Sequence, residues 1–143
     1  MAMIGSKLAP PQTKEFDAMT AKAIKLPGAD HPITIARNPA RVVVSVAGRI
    51  IADTTAALAL READYPAVQY IPRRDVDMTL LVRTDHVTYC PYKGDCAYYT
   101  ITDAPRGANA VWTYEAPYAA VAPIKDHLAF YPDRVTIEER PAT

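Results

Sequence analysis

The chemically reactive side chains of this chain are concentrated in one stretch, residues 86–96. The stretch reads HVTYCPYKGDC and holds both cysteines of the chain. Because alternate residues of a strand share a face, His86, Thr88 and Cys90 are expected on one side of an extended segment. Pro91 ends the strand pairing and Gly94 permits a turn. The pattern therefore predicts a strand that delivers its reactive groups to a turn.

Cys90 allows two interpretations. A nucleophilic thiolate needs a neighbouring base or cation, and His86 is close to it in sequence. Residues four apart in a strand are separated by roughly 13 Å, so direct contact would require a bend. In the other interpretation, Cys90 is a small buried hydrophobic residue at the strand end, and the same holds for Cys96.

The same stretch offers potential metal ligands and a potential disulfide. His86, Cys90 and Cys96 would supply three ligands, with His127 or Asp95 as a fourth, but Cys-x5-Cys is not a usual zinc spacing. We therefore expect no metal and no cofactor. A disulfide across the turn is geometrically possible, although a reducing cytoplasm disfavours it.

Lys93 is the candidate for ligand recognition. A lysine at a Pro-x-Lys-Gly turn can bind a phosphate or carboxylate as a point charge, or it can be a solvated residue on a loop tip. Arg73 and Arg74 follow a strand-ending proline and either join Lys93 or remain surface charges. The nearby aromatic residues could form a wall on which a flat ring stacks, or they could belong to the core. These residues are Tyr92, Tyr98, Tyr99, Trp112 and Tyr114.

Length and composition indicate a single domain without a dominant charge. The chain has 143 residues, of which 50% are hydrophobic, enough for one adequate core. Sixteen basic residues balance sixteen acidic ones, so no global field favours nucleic acid or an anionic membrane. The start of the sequence lacks a leader pattern, and no run of about 18 apolar residues occurs, so we expect a cytoplasmic protein with reduced thiols.

Strands dominate the predicted secondary structure, as thirteen prolines and nine tyrosines suggest. The clearest element is a hairpin of residues 41–46 and 49–52, with Gly48 in the left-handed conformation of a bulged turn. Further strands are predicted at residues 33–35, 56–61, 68–71, 86–90, 97–101, 110–114, 128–131 and 135–137.

Helices are predicted to be few and short. One is expected at residues 14–25 inside a flexible N-terminal arm of residues 1–30, ending before Pro27 and Gly28. Asp75 is expected to cap a turn or two through Leu81, and residues 117–127 are expected to form a helix that Pro123 limits to a bent or broken segment. The fold class is therefore mainly β with antiparallel pairing and one or two short helices, and residues 31–143 form one domain.

Four segments resemble a known family: YIPRRDV at 70–76, TYCPYKG at 88–94, VWTYEAP at 111–117 and LAFY at 128–131. Together they resemble the bacterial domain of unknown function 427 family over about residues 40–139, and the CPYKG motif is specific. The resemblance implies a β-tent fold similar to methionine sulfoxide reductase B and cereblon ligand-binding domains. Some classifications give the family a nucleotidyltransferase-like label, but no reaction is established. The similar domains hold zinc with two Cys-x-x-Cys pairs, which this chain lacks.

The motifs of common enzymes are absent. No phosphate-binding glycine loop, dinucleotide fingerprint, zinc-protease motif or serine nucleophile elbow occurs. The leading hypothesis is a pocket for a small anionic or aromatic ligand, a nucleotide being one candidate, formed by Arg73, Cys90, Tyr92, Lys93, Tyr98 and Trp112. One alternative is an enzyme that uses Lys93 or Cys90 as its catalytic residue. Another is an interaction module acting through the proline-rich arm. We expect no nucleic-acid or membrane partner, and a monomer or homodimer.

Overall fold

The computed structural model describes residues 22–142. These residues form ten strands and three short 3-10 turns, which confirms the mainly β prediction. The strands are β1 (Ile33–Arg37), β2 (Arg41–Val46), β3 (Arg49–Thr54), β4 (Leu58–Glu62), β5 (Val68–Pro72), β6 (Leu81–Cys90), β7 (Gly94–Ile101), β8 (Val111–Thr113), β9 (His127–Phe130) and β10 (Thr136–Arg140).

The strands form two antiparallel sheets. A seven-stranded sheet has the order β1-β4-β5-β9-β8-β7-β6, and a three-stranded sheet has the order β10-β2-β3. Contacts between β4 and the turn that joins β6 to β7, described below, link opposite ends of the large sheet. The large sheet must therefore curl, as twisted sheets do.

The predicted hairpin of β2 and β3 is confirmed. Val46 pairs with Arg49, so Ala47 and Gly48 alone form the turn. Both have positive φ, 52° for Ala47 and 77° for Gly48, as a two-residue type I′ turn requires, so the bulge predicted at the turn is not formed; the pairing is instead irregular between Val44 and Ser45. This turn matches the right-handed twist of the two strands, which explains why a glycine is placed here.

The helix predicted at residues 117–127 forms only as a shorter, broken 3-10 segment. The segment contains a 3-10 helix at Ala119–Ile124, in which Val121 has non-helical dihedral angles and Pro123 lies inside. The alanines favour a helix, but proline removes a hydrogen-bond donor and crowds the preceding turn. Within residues 22–142, the one or two short helices predicted from the sequence are therefore replaced by short 3-10 turns.

The predicted helical turns through Leu81 are also corrected. Two separate 3-10 turns form, Arg73–Asp75 and Met78–Leu80, and Leu81 already belongs to β6. The carboxylate of Asp77 caps the second turn by accepting from the Thr79 amide, so Asp75 is not its cap. The helix predicted at residues 14–25 lies largely outside the described residues, and its last residues, 22–25, have no regular structure.

Two clusters of buried residues pack against the sheets. The first joins the two sheets, and its buried members are Val42, Val44, Ile51, Ala52, Ala57, Ile71, Val76, Leu81, Tyr99, Ile101, Ala110, Val111, Leu128 and Phe130. The second lies against the large sheet, and its buried members are Leu60, Tyr70, Cys96, Tyr98, Tyr114, Val121, Ile124 and Ala129. None of the helical turns within residues 22–142 has the length and apolarity needed to cross a membrane.

Candidate functional site

The turn between β6 and β7 holds the reactive stretch, as predicted. Cys90 pairs with Gly94, which leaves Pro91, Tyr92 and Lys93 as the loop. The Lys93 amide donates to the Cys90 carbonyl at 3.2 Å, and Gly94 has a φ of 108°, a value that residues with a Cβ rarely adopt. The tight turn fixes the backbone from which the Lys93 side chain extends.

Lys93 is not the exposed loop residue that one interpretation of the sequence allowed. Only 8% of its side chain is exposed, and its ammonium donates to Oε1 of Glu62 at 2.5 Å. Glu62 is the last residue of β4, 31 positions earlier in the chain. The lysine charge is therefore already balanced inside the domain, which weakens the idea that it captures a free anion as an isolated point charge.

Glu62 is the centre of a small polar network. Its second carboxylate oxygen lies 2.8 Å from Nε2 of His31, and the His31 ring stacks on Tyr92 at 4.1 Å between centroids. Burial by itself raises the pKa of Glu62, but the hydrogen bonds and charges of Lys93 and His31 outweigh it and hold that pKa below its ordinary value. The network ties the β6–β7 turn to β4 and to the segment before β1.

Cys90 lies beside the ammonium group and not beside a histidine. Its Sγ is 3.7 Å from Nζ of Lys93, whereas the His86 ring packs on Tyr98 at 4.6 Å. The His86–Cys90 pairing considered from the sequence is therefore not formed. Cys90 and Cys96 are both free thiols, and burial raises the pKa of Cys96. Within residues 22–142, no three His, Cys, Asp or Glu side chains converge as a metal site would require.

A cavity of about 230 Å³ opens next to the Lys93–Glu62 pair. Aromatic and aliphatic side chains form its other walls. The complete lining is Leu60, Glu62, Tyr65, Pro66, Val68, Tyr70, Lys93, Trp112, Tyr114 and Tyr131. The cavity thus places one buried ion pair at the edge of a largely aromatic chamber.

The aromatic wall is positioned by three neighbouring strands. Trp112 on β8 pairs with the small residue Ala129 on β9, and its indole nitrogen donates to the Tyr70 hydroxyl on β5 at 3.2 Å. Tyr131 packs on Trp112 with centroids 4.6 Å apart. Because Ala129 is small, the Trp112 side chain can reach over β9 to Tyr70.

Trp112 and Tyr114 share one face, as the strand pattern predicted, since both pack in the second cluster.

The residues predicted for the site are brought together only in part. Lys93 and Trp112 line the cavity, while Cys90 and Tyr92 contact members of the polar network next to it. Tyr98 is buried in the second cluster, where its hydroxyl is 2.9 Å from that of Thr88. Arg73 does not line this cavity: its guanidinium donates to the Tyr99 hydroxyl at 3.2 Å, beside the first cluster.

Several lining or network residues were missed from the sequence, namely His31, Glu62, Tyr65, Tyr70 and Tyr131. A usable signal existed for Glu62. Leu58 and Leu60 alternate along β4, so the next residue on the same face is Glu62, a carboxylate where an apolar residue is expected. The strand had been predicted to end one residue earlier, at Arg61, which hid this pattern.

The comparison with protein families agrees with the motifs. A family model described as domain of unknown function (DUF427) matches residues 34–140, most of the chain. Among curated proteins, no match to the chain is found.

Proposed function

Because the chain belongs to the domain of unknown function family DUF427, whose description assigns no activity, we propose a function from the site: the domain binds a small flat ligand in the cavity beside Lys93 and Glu62. The observation that supports this proposal is the buried ion pair at the edge of an aromatic-lined cavity. Aromatic walls with a few fixed polar groups are typical of small-molecule sites.

The ion pair favours one kind of ligand edge. The Lys93 ammonium has three N–H donors. Two of them are directed to Glu62 and to the Cys90 sulfur, which leaves one for a ligand. A carboxylate has about four acceptor positions, of which His31 and Lys93 use two. The pair therefore presents a donor next to an acceptor. An amide-type edge, such as that of a nucleobase or a benzamide, offers the complementary groups.

The same geometry ranks the two ligand classes expected from the sequence. A bare anion would compete with Glu62 for Lys93, because the two charges are already paired at 2.5 Å. A neutral flat ring would leave that pair intact and stack on the aromatic wall. We therefore place aromatic, amide-bearing ligands ahead of simple anions.

A second candidate function is catalysis by Cys90 or Lys93. The 3.7 Å separation of their Sγ and Nζ atoms favours it, since a cation next to a thiol supports nucleophilic chemistry. Iodoacetamide distinguishes a reactive thiol from a packed one. Fast alkylation of folded protein at neutral pH supports the enzyme, whereas alkylation only after denaturation leaves Cys90 as a packing residue.

Thermal unfolding with a small ligand panel tests the binding proposal. The probes are benzamide, benzoate, uridine and adenosine monophosphate at millimolar concentration. A ligand at a hundred times its Kd adds about 2.7 kcal/mol to the free energy of unfolding, enough to raise Tm by several degrees. We expect the amide-bearing probes to raise Tm more than benzoate does.

A matched pair of variants locates the effect. Tyr131 and Tyr118 are both half-buried, but only Tyr131 lines the cavity. We expect Tyr131→Leu to abolish most of the ligand-induced rise in Tm and Tyr118→Leu to retain it. The proposal fails if no probe shifts the wild type, or if the two variants respond equally.

A further inference from the structure

A second cavity shares part of its wall with the first. Its volume is about 420 Å³, and the four residues common to both cavities are Tyr65, Pro66, Val68 and Trp112. The remaining walls of the second cavity are mainly apolar and come from Phe130, Pro132 and Ile137, with Ala67, Gln69 and Glu139 at its margins. The two cavities thus adjoin at Trp112 and at the residues that lead from the β4–β5 loop into β5.

The second cavity lies where the large sheet separates. β5 and β9 pair only through Ile71–Leu128 and Pro72–His127. The same register would next align Tyr70 with Ala129 and then Gln69 with Phe130, yet neither pair forms although all four residues belong to the two strands. Gln69 pairs only with Ala59 of β4, and Phe130 only with Val111 of β8. Here the strands diverge, and the side chains at the divergence line the second cavity.

Size indicates that a ligand of ordinary size, once bound in the first cavity, would extend beyond it. Binding sites for small molecules usually measure roughly 300–1,000 Å³. The first cavity, at about 230 Å³, is below that range, whereas the adjoining second cavity, at about 420 Å³, falls within it. A ligand confined to the first cavity would be limited to a single ring.

The chemistry of the two cavities differs in a way that specifies the ligand. The first carries the Lys93–Glu62 pair and several phenol groups. The second offers apolar surface from Val68, Phe130 and Ile137, which an alkyl or aryl group would cover favourably. Tyr65 lines both cavities and is 63% exposed, so its ring stands at the point where two parts of one ligand would join.

We infer that the ligand of this domain is an amphiphilic small molecule, with a flat amide-bearing head in the first cavity and an apolar tail of several carbons in the second. This inference rests on the proposed function and specifies its ligand class. The head is held by the ion pair and the aromatic wall. The tail contributes affinity through burial of apolar surface in the opening between β5 and β9.

Two probes that differ only in the tail test the inference: benzamide and 4-butylbenzamide, with Kd measured by calorimetry or by NMR titration. Burial of four carbons, even in part, should tighten Kd about ten-fold or more.

Ala67→Trp should fill the second cavity from a half-buried loop position that does not line the first. Ile137→Asp should place a carboxylate in the same apolar wall. Ala120→Trp, at an exposed position outside both cavities, is the control.

The expected result is that both second-cavity variants lose the gain from the butyl tail and keep the affinity for benzamide, while the control changes neither. If benzamide binds but the tail adds nothing in the wild type, the inference is overturned and the proposed function stands. A gain that persists in Ala67→Trp and Ile137→Asp also overturns it, because the tail then lies elsewhere. If neither probe binds, both the inference and the proposed function fail.

Discussion

The two buried clusters of this domain are built from different kinds of side chain. Of the fourteen buried residues in the first cluster, one is a tyrosine and the rest are apolar. Of the eight in the second, three are tyrosines, and Trp112, Tyr131 and Cys90 pack against them. Buried hydroxyl groups need partners, so tyrosine is a costly choice where packing alone is required. The contrast indicates that the first cluster mainly holds the sheets together and the second surrounds the first cavity, while Phe130 and Ile137 of the first cluster also line the second cavity.

The ion pairs of the domain show a similar contrast. Arg41 and Asp53 pair on the small sheet with side chains 43% and 36% exposed. Lys93 and Glu62 pair beside the cavity with side chains 8% and 19% exposed. Exposed pairs contribute little to stability, whereas a buried pair is costly to break and is retained where its position matters. The buried pair again marks the second cluster as the functional region.

The largest expected effect lies in the first cluster. Ile101 is 1% exposed there, so Ile101→Ala should lower the free energy of unfolding by about 4 kcal/mol through lost burial and a new cavity. Denaturant unfolding measures this. If the first cluster is only structural, the additional stability that benzamide provides should be unchanged in this variant. Loss of the ligand effect would mean that the two clusters are not functionally separate.

Breaking the buried ion pair should have the next largest effect. Lys93→Met leaves Glu62 half-buried with His31 as its remaining partner, and should cost about 3 kcal/mol. The exposed-pair control, Arg41→Met, should cost at most about 1 kcal/mol. Unfolding in urea at neutral pH compares the two variants directly.

The double variant Lys93→Met/Glu62→Leu separates the cost of an unpaired charge from the value of the pair. With both charges removed, we expect it to be more stable than Lys93→Met alone, because no half-buried carboxylate then lacks its ammonium partner. Equal costs for Lys93→Met and Arg41→Met would remove the distinction between the buried pair and the surface pair.

The sequence was sufficient to predict the local parts of the site and insufficient for its assembly. Pro91 and Gly94 mark the turn that carries Lys93, and the alternation around Trp112 and Tyr114 correctly gives their common face. These signals depend only on neighbouring residues. The partner of Lys93 comes from β4, which is distant from β6 and β7 in the order of the large sheet. Such a contact depends on sheet order and curvature, which no local pattern specifies.

The errors in the predicted elements have the same origin. The alanines at residues 119–122 favour a helix by propensity, but Pro123 and the packing of Val121 and Ile124 into the second cluster limit the segment to 3-10 turns. Arg73 was grouped with Lys93 because both are cations near turns. In the folded domain Arg73 instead contacts Tyr99, beside the first cluster.

The smallest expected effect is the pH dependence of the buried pair. The folded-state pKa of Glu62 is lowered, so the unfolded chain binds more protons than the folded one once the pH approaches the ordinary value of 4.5. The stability that Glu62 contributes is therefore complete above that value and is lost as the pH falls through the lowered folded-state pKa. The difference in free energy of unfolding between wild type and Glu62→Gln should therefore shrink as the pH falls below about 4.5. Asp53, whose pKa its hydrogen bond with Arg41 also lowers, is present in both proteins and cancels. A difference that stays constant over this range would show that Glu62 is not stabilised as a carboxylate, and the buried pair would then cease to distinguish the second cluster from the first.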